Sequence, residues 1–102
     1  MENKIKEIAD HYKIEKQQRQ LAEECAELIQ ATSKYMRYRE QSYASSNDWT
    51  YIQNVIEEIA DVEIMLEEMK YLLNINKDAI EQIKTNKIER QLKRIQEEKS
   101  RY

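Results

Sequence analysis

Residues 49–73 read WTYIQNVIEEIADVEIMLEEMKYLL, and this stretch decides the fold class. Apolar residues recur in it every three or four positions, which is the spacing of one face of an α-helix. The main stripe consists of Ile52, Val55, Ile56, Ile59, Val62, Leu66, Met69 and Leu73. Because further apolar side chains lie outside this stripe, the helix needs packing partners on more than one side. We therefore predict a helix from about 49 to 73 at the centre of the core and of any subunit interface.

The rest of the chain predicts three more helical segments and no strand. Gly and Pro are absent, whereas sheets and Rossmann-type folds need glycine at turns and phosphate loops. We expect helices at 2–12, 16–40 and 77–99, a short connection at 13–15 and a polar loop at 41–48. Asn74 or Asn76 interrupts the helical pattern before the last helix. The prediction is a single all-α domain over residues 1–102, a four-helix bundle completed by formation of a homodimer or homotetramer.

The composition excludes several classes of protein. The formal net charge is -3, so the chain lacks the basic surplus of a nucleic-acid binder, and we expect no nucleic-acid partner. No apolar run approaches the length of a membrane span, and the first ten residues, MENKIKEIAD, lack the apolar core of a signal peptide. Cys25 is the only cysteine and cannot form an internal disulfide, so we expect a cytoplasmic protein without a membrane partner.

Two acidic clusters predict a metal site. Residues 23–27 read EECAE and residues 57–61 read EEIAD. Side chains three positions apart lie on one helix face, so Glu24 pairs with Glu27, and Glu58 pairs with Asp61. If the apolar stripes of the two helices pack together, the four carboxylates converge at the rim and need a cation to offset their repulsion. Oxygen ligands without His or Cys favour Mg²⁺, with Mn²⁺ as a substitute. A solvated acidic flank is the alternative interpretation.

The order of these motifs resembles that of a known enzyme family. The stretch 15–37, EKQQRQLAEECAELIQATSKYMR, and the stretch 55–66, VIEEIADVEIML, are similar to the two motif regions of the MazG-like nucleotide pyrophosphohydrolases, which are related to the dimeric all-α dUTPases. The resemblance implies Mg²⁺-dependent hydrolysis of a nucleoside triphosphate, expected to be a deoxynucleoside triphosphate. Cleavage between the α and β phosphates would give a monophosphate and pyrophosphate.

The resemblance also implies roles for individual residues. The Mg²⁺ ligands would be Glu24, Glu27, Glu58 and Asp61. Glu23 would orient the attacking water, and Glu57 would support the site, so both count as catalytic. Phosphate contacts would come from Asn86, Lys87 and Arg90. Independently of the resemblance, the position of Trp49 just after the loop fits either stacking on a base or a core anchor that closes the loop. Gln20 stands where some family members carry a lysine, one turn before the first glutamate pair.

Two other functions remain open on the sequence. A non-catalytic helical assembly or adaptor protein would suit the high helix content and balanced charge. A nucleotide sensor would use the same acidic residues without cleaving its ligand. A di-iron carboxylate bundle is disfavoured because the Glu-x-x-His motif of such sites does not occur in the chain.

Overall fold

The computed structural model describes residues 1–41 and 48–101, and all regular structure within them is helical. There are three helices: α1 is Glu2–Glu40, α2 is Asp48–Leu72 and α3 is Lys77–Ser100. The prediction of an all-α protein is therefore confirmed. Most of the predicted loop at 41–48 lies outside the described residues.

The first two predicted helices are one helix, α1, which is interrupted at Lys13. The backbone of Lys13 has φ 69° and ψ 170°, a conformation that is close to exclusive to glycine and costs a non-glycine residue on the order of 1–3 kcal/mol. The predicted connection at 13–15 is therefore right in position but is confined to this one residue. Within the described residues, α1 therefore consists of two helical segments that meet at Lys13, so the four predicted helical segments lie in three helices.

Two asparagines end α2 and begin α3, as the sequence predicts. Asn74 adopts φ 53°, and the N–H of Ile75 donates to the carbonyl of Lys70 at 2.8 Å. This is the hydrogen bond of a helix that ends in a left-handed residue, where asparagine is the usual substitute for glycine. Asn76 then caps α3, since its Oδ1 accepts from the N–H of Asp78 at 2.8 Å.

Helices α1 and α2 form an antiparallel pair. At one end the Tyr71 hydroxyl donates to Asp10 Oδ1 and Oδ2, at 2.8 and 2.9 Å. This hydrogen bond, helped by desolvation and by the charge of Asp10, raises the pKa of the Tyr71 hydroxyl above its ordinary value. At the other end the rings of Tyr38 and Tyr51 stack with centroids 4.5 Å apart. Because residue numbers rise along α1 as they fall along α2, the two helices run in opposite directions.

The interior of this pair is small and partly polar. Ala9, Ala31 and Met65 are buried, and so are Gln17 and Glu68, which are 4% and 1% exposed. Gln17 Nε2 donates to Glu68 Oε1 at 2.7 Å. Gln17 and Glu68 therefore connect α1 to α2 through a buried hydrogen bond.

The face of α2 that packs on α1 is rotated from the predicted apolar stripe. Ile56, Ile59 and Leu66 belong to that stripe but are exposed. Met65, which lies outside it, is buried. The inward row of α2 therefore includes Glu58, three positions after Val55 and seven before Met65, so one of the motif carboxylates faces α1.

Helix α3 carries no buried residue. Extensive packing among the described helices is confined to α1 and α2. On α3, Ile88 and Leu92 are 57% and 52% exposed. In the described part of the chain, the helices fall short of the combined length and apolarity needed to cross a bilayer.

Candidate functional site

Three of the four predicted metal ligands come together between α1 and α2. Glu24 and Glu27 lie on α1 and Glu58 lies on α2, and each offers one carboxylate oxygen within 4.8 Å of the others. Glu24 and Glu58 are partly buried, whereas Glu27 is exposed. The group is therefore open to solvent on the side of Glu27 and closed on the side of the helix interface.

Asp61 is exposed and does not belong to this group. It follows Glu58 by three positions, as Glu27 follows Glu24, so the two residues have matching positions relative to the inner carboxylate of their own helix. Asp has one methylene fewer than Glu, and its carboxylate therefore reaches less far around the helix. The placement of Asp61 as a direct ligand stays a prediction.

The inner carboxylates are incompletely hydrogen-bonded. Glu24 Oε1 accepts from Gln20 Nε2 at 2.7 Å. Glu24 Oε2 and Glu58 Oε2 are shielded from solvent and have no hydrogen-bond partner among the described residues. A shielded polar atom without a partner costs about 1–3 kcal/mol. Two such oxygens on neighbouring carboxylates are the features that a cation between the helices would satisfy.

The donor set fits a hard divalent cation. All three members of the group are carboxylates, and oxygen ligands without imidazole or thiolate suit Mg²⁺ and Mn²⁺. Gln20 orients Glu24 through a neutral amide, whereas a lysine at this position would bring a positive charge that competes with a cation.

The remaining predicted site residues lie outside the three-carboxylate group. Glu23 and Glu57 are exposed next to it in sequence, and Trp49 is 64% exposed at the start of α2. Asn86, Lys87 and Arg90 lie on α3, where Lys87 and Arg90 line a shallow depression formed by that helix alone. The catalytic and substrate-binding roles of these residues stay predictions.

No family model, no curated protein and no solved structure matches this chain. The function therefore has to be inferred from the residues of this chain and from their arrangement.

A polar cavity of about 290 Å³ adjoins the carboxylates. It is lined chiefly by Glu27, Gln30, Lys34, Tyr51, Asn54 and Glu58. Sequence reasoning gave no role to Gln30, Lys34 or Asn54. The sequence spacing could have identified these residues. Gln30 and Lys34 follow Glu27 by three and seven positions, and Asn54 precedes Glu58 by four. Each therefore lies on the same helix face as its motif glutamate.

Proposed function

We propose that this chain is a Mg²⁺-dependent nucleoside triphosphate pyrophosphohydrolase. The observation that carries the proposal is the cluster of Glu24, Glu27 and Glu58, whose oxygens lie within 4.8 Å of one another. Its two shielded, unpartnered oxygens support a cation-binding role over a solvated acidic flank. A structural cluster would be expected to pair these oxygens with donors, as the buried Glu68 is paired with Gln17.

Glu24, Glu27 and Glu58 would hold the Mg²⁺, and the exposed Asp61, one turn after Glu58, would join them. When bound there, the ion would supply positive charge that offsets part of the negative charge of the triphosphate. This contribution suits phosphoryl chemistry, in which positioning and charge neutralisation matter more than covalent catalysis.

Water is the attacking group in this proposal. A protein nucleophile would need an activating base beside it, and the carboxylate group contains no Ser, Cys or His. Glu23 precedes Glu24 and is exposed, so it would accept a hydrogen bond from the attacking water and take its proton. Glu57 occupies the equivalent position before Glu58 and would support the site from the opposite helix. Attack at the α phosphate would release a nucleoside monophosphate and pyrophosphate.

A panel of ribo- and deoxyribonucleoside triphosphates with Mg²⁺ tests the reaction. We expect pyrophosphate and a monophosphate, with EDTA abolishing their release. In ¹⁸O-labelled water the label is expected in the monophosphate, since water attacks the α phosphate and pyrophosphate leaves. Release of orthophosphate with a diphosphate would refute the assignment. Mg²⁺-dependent nucleotide binding without any turnover would instead identify a nucleotide sensor.

The proposed active form is a homo-oligomer. Helix α3 lacks extensive packing on the α1–α2 pair, yet it carries exposed apolar residues such as Ile88 and Leu92. Packing of α3 on the α1–α2 pair of a second copy would cover these residues. With the two segments of α1 on either side of Lys13 counted separately, it would complete a bundle of four helical segments. It would also bring Asn86, Lys87 and Arg90 near the carboxylates of that copy, where they could contact phosphate.

We predict a solution mass of at least twice the 12.4 kDa of the chain in light scattering at micromolar concentration. Leu92→Glu should reduce the mass, because it would bury a charge in the proposed interface. Lys93→Glu, a change at the neighbouring exposed position, is the matched control and should leave the mass unaltered. A stable wild-type monomer would contradict the proposed assembly. An oligomer without metal affinity would favour the alternative of a non-catalytic helical assembly protein.

A further inference from the structure

The cavity beside the carboxylates has an acidic end and a basic end. Because α1 and α2 are antiparallel, Glu27 and Glu58 lie at one end of its wall, and Lys34 and Tyr51 lie at the other. Glu27 and Lys34 are seven positions apart on one helix, which corresponds to about 10 Å along the axis. A ligand that reaches both ends must therefore be elongated. It must interact with the carboxylates at one end and with the ammonium group of Lys34 at the other.

The charge of Lys34 is available for a ligand. Its side chain is exposed, and within the described part of the chain no carboxylate oxygen lies within 4.0 Å of its Nζ. By contrast, Lys70 Nζ lies 3.0 Å from Glu67 and Lys84 Nζ lies 3.5 Å from Glu81. Among the described residues Lys34 is thus a cation without an anionic partner, at the edge of a cavity whose other end is acidic.

The walls between the two ends are suited to phosphate oxygens. Gln30 on α1 and Asn54 on α2 line the cavity, and each can donate two hydrogen bonds from its amide. Between Gln30 and Lys34, Ala31 contributes only a methyl group. The ring of Tyr51 is held by its stack on Tyr38 and forms a fixed wall at the basic end.

The size of the cavity limits what it can hold. Its volume of about 290 Å³ lies at the small end of ligand pockets, which span roughly 300–1,000 Å³. The cavity therefore accommodates part of a nucleotide better than a whole one. Amide donors and a lysine at the end of the cavity match phosphate oxygens, whereas an aromatic base would need a larger apolar surface.

We infer that Lys34 binds the terminal phosphate of a polyphosphate chain whose inner phosphates lie at the carboxylate end. This inference rests on the proposed function, because it assigns the pyrophosphate leaving group to this cavity. Gln30 and Asn54 hydrogen-bond the intervening oxygens. The cavity consequently selects substrates by the length of their phosphate chain, and the nucleoside lies outside it.

Calorimetric titration with inorganic pyrophosphate and Mg²⁺ tests the inference. Lys34→Gln should weaken pyrophosphate binding by about ten-fold, the effect of one charge-assisted hydrogen bond. It should leave the affinity for Mg²⁺ alone within about two-fold, since Lys34 is not in the carboxylate group. Lys34→Arg should retain most of the binding. Lys4→Gln, which removes the same charge from an exposed position of α1, is the control and should bind as the wild type does.

Three titrations, each carried out on the wild type and on Lys34→Gln, separate this inference from the proposed function. With Mg²⁺ alone, loss of binding defeats the proposed metal site. If Mg²⁺ does not bind, the titration with pyrophosphate in EDTA decides. Binding that is weakened in Lys34→Gln then supports the phosphate site, and absence of such binding overturns it. With both ligands, equal affinity in wild type and Lys34→Gln, or no pyrophosphate binding at all, overturns the role of Lys34 while leaving the metal site standing.

Discussion

Glu58→Gln is expected to abolish the stabilisation that Mg²⁺ gives the folded chain and to reduce pyrophosphate release by about 100-fold or more. An effect of this size is expected because, in metal sites, mutation of a residue that only supports a ligand already costs about 10–100-fold in metal affinity or activity. Glu58 is the one member of the carboxylate group that comes from α2. Its replacement therefore removes the bridge between the helices, whereas Glu24 and Glu27 keep their positions on α1.

The same variant should be more stable than the wild type when no divalent cation is present. Glu58 Oε2 is shielded and unpartnered, and two further carboxylates lie beside it. A glutamine amide removes one like charge and can donate to a neighbouring carboxylate, which we expect to add about 1 kcal/mol. For a chain of this size that corresponds to a rise of about 4–8 °C in Tm.

Thermal unfolding in EDTA and in Mg²⁺ measures both effects at once. Wild type should gain stability on addition of Mg²⁺ by linkage. Glu58→Gln should have a higher Tm than wild type in EDTA, and addition of Mg²⁺ should leave that Tm unchanged. Glu7→Gln removes the same charge from an exposed position of α1 and should keep the Mg²⁺ response. An undiminished Mg²⁺ response in Glu58→Gln would rule out a site shared between the two helices.

The sequence predicts the helices well because helix signals are local. Asn76 hydrogen-bonds the backbone N–H of Asp78, two positions away, and such a cap can be recognised from neighbouring residues alone. The break at Lys13 was also placed correctly.

The side on which two helices meet was harder to predict. Helix α2 is apolar on several sides, so its hydrophobic pattern does not select one face. Of the predicted stripe, Val55, Val62 and Met69 are half-buried, whereas Ile56 and Ile59 are exposed. The exposed apolar face is available for another partner, in line with the proposed oligomer. The rotation also explains why Glu58 is partly buried and Asp61 is not.

The acidic residues could not be ranked by burial from sequence alone. Glu67-Glu68 is a doublet of the same kind as Glu23-Glu24 and Glu57-Glu58. Of these six glutamates, only Glu68 is fully buried. Its burial depends on Gln17, which is 51 positions away. A partner at that distance in sequence is visible only once the antiparallel pairing of α1 and α2 is known.

Gln17→Leu is expected to destabilise the folded chain by about 2–3 kcal/mol, because it leaves the buried Glu68 carboxyl without its amide donor. The hydrogen bond it removes is 2.7 Å long and joins two buried side chains. Urea unfolding should show a lower midpoint with an unchanged slope. Glu68→Gln should cost far less, since the amide oxygen still accepts from Gln17.

The double variant Gln17→Leu with Glu68→Leu should recover much of the lost stability, because replacing both partners of a buried polar pair by apolar groups removes the unpaired group. Mg²⁺ binding should persist in every variant of this pair that folds, since neither residue belongs to the carboxylate group. If Gln17→Leu is as stable as wild type, Glu68 must have another donor. The different stability of these variants would distinguish two kinds of glutamate at the helix interface. Glu68 has its hydrogen-bond partner within the fold. Among the described residues, Glu24 and Glu58 each keep one shielded oxygen unpaired, and a bound cation would pair these oxygens.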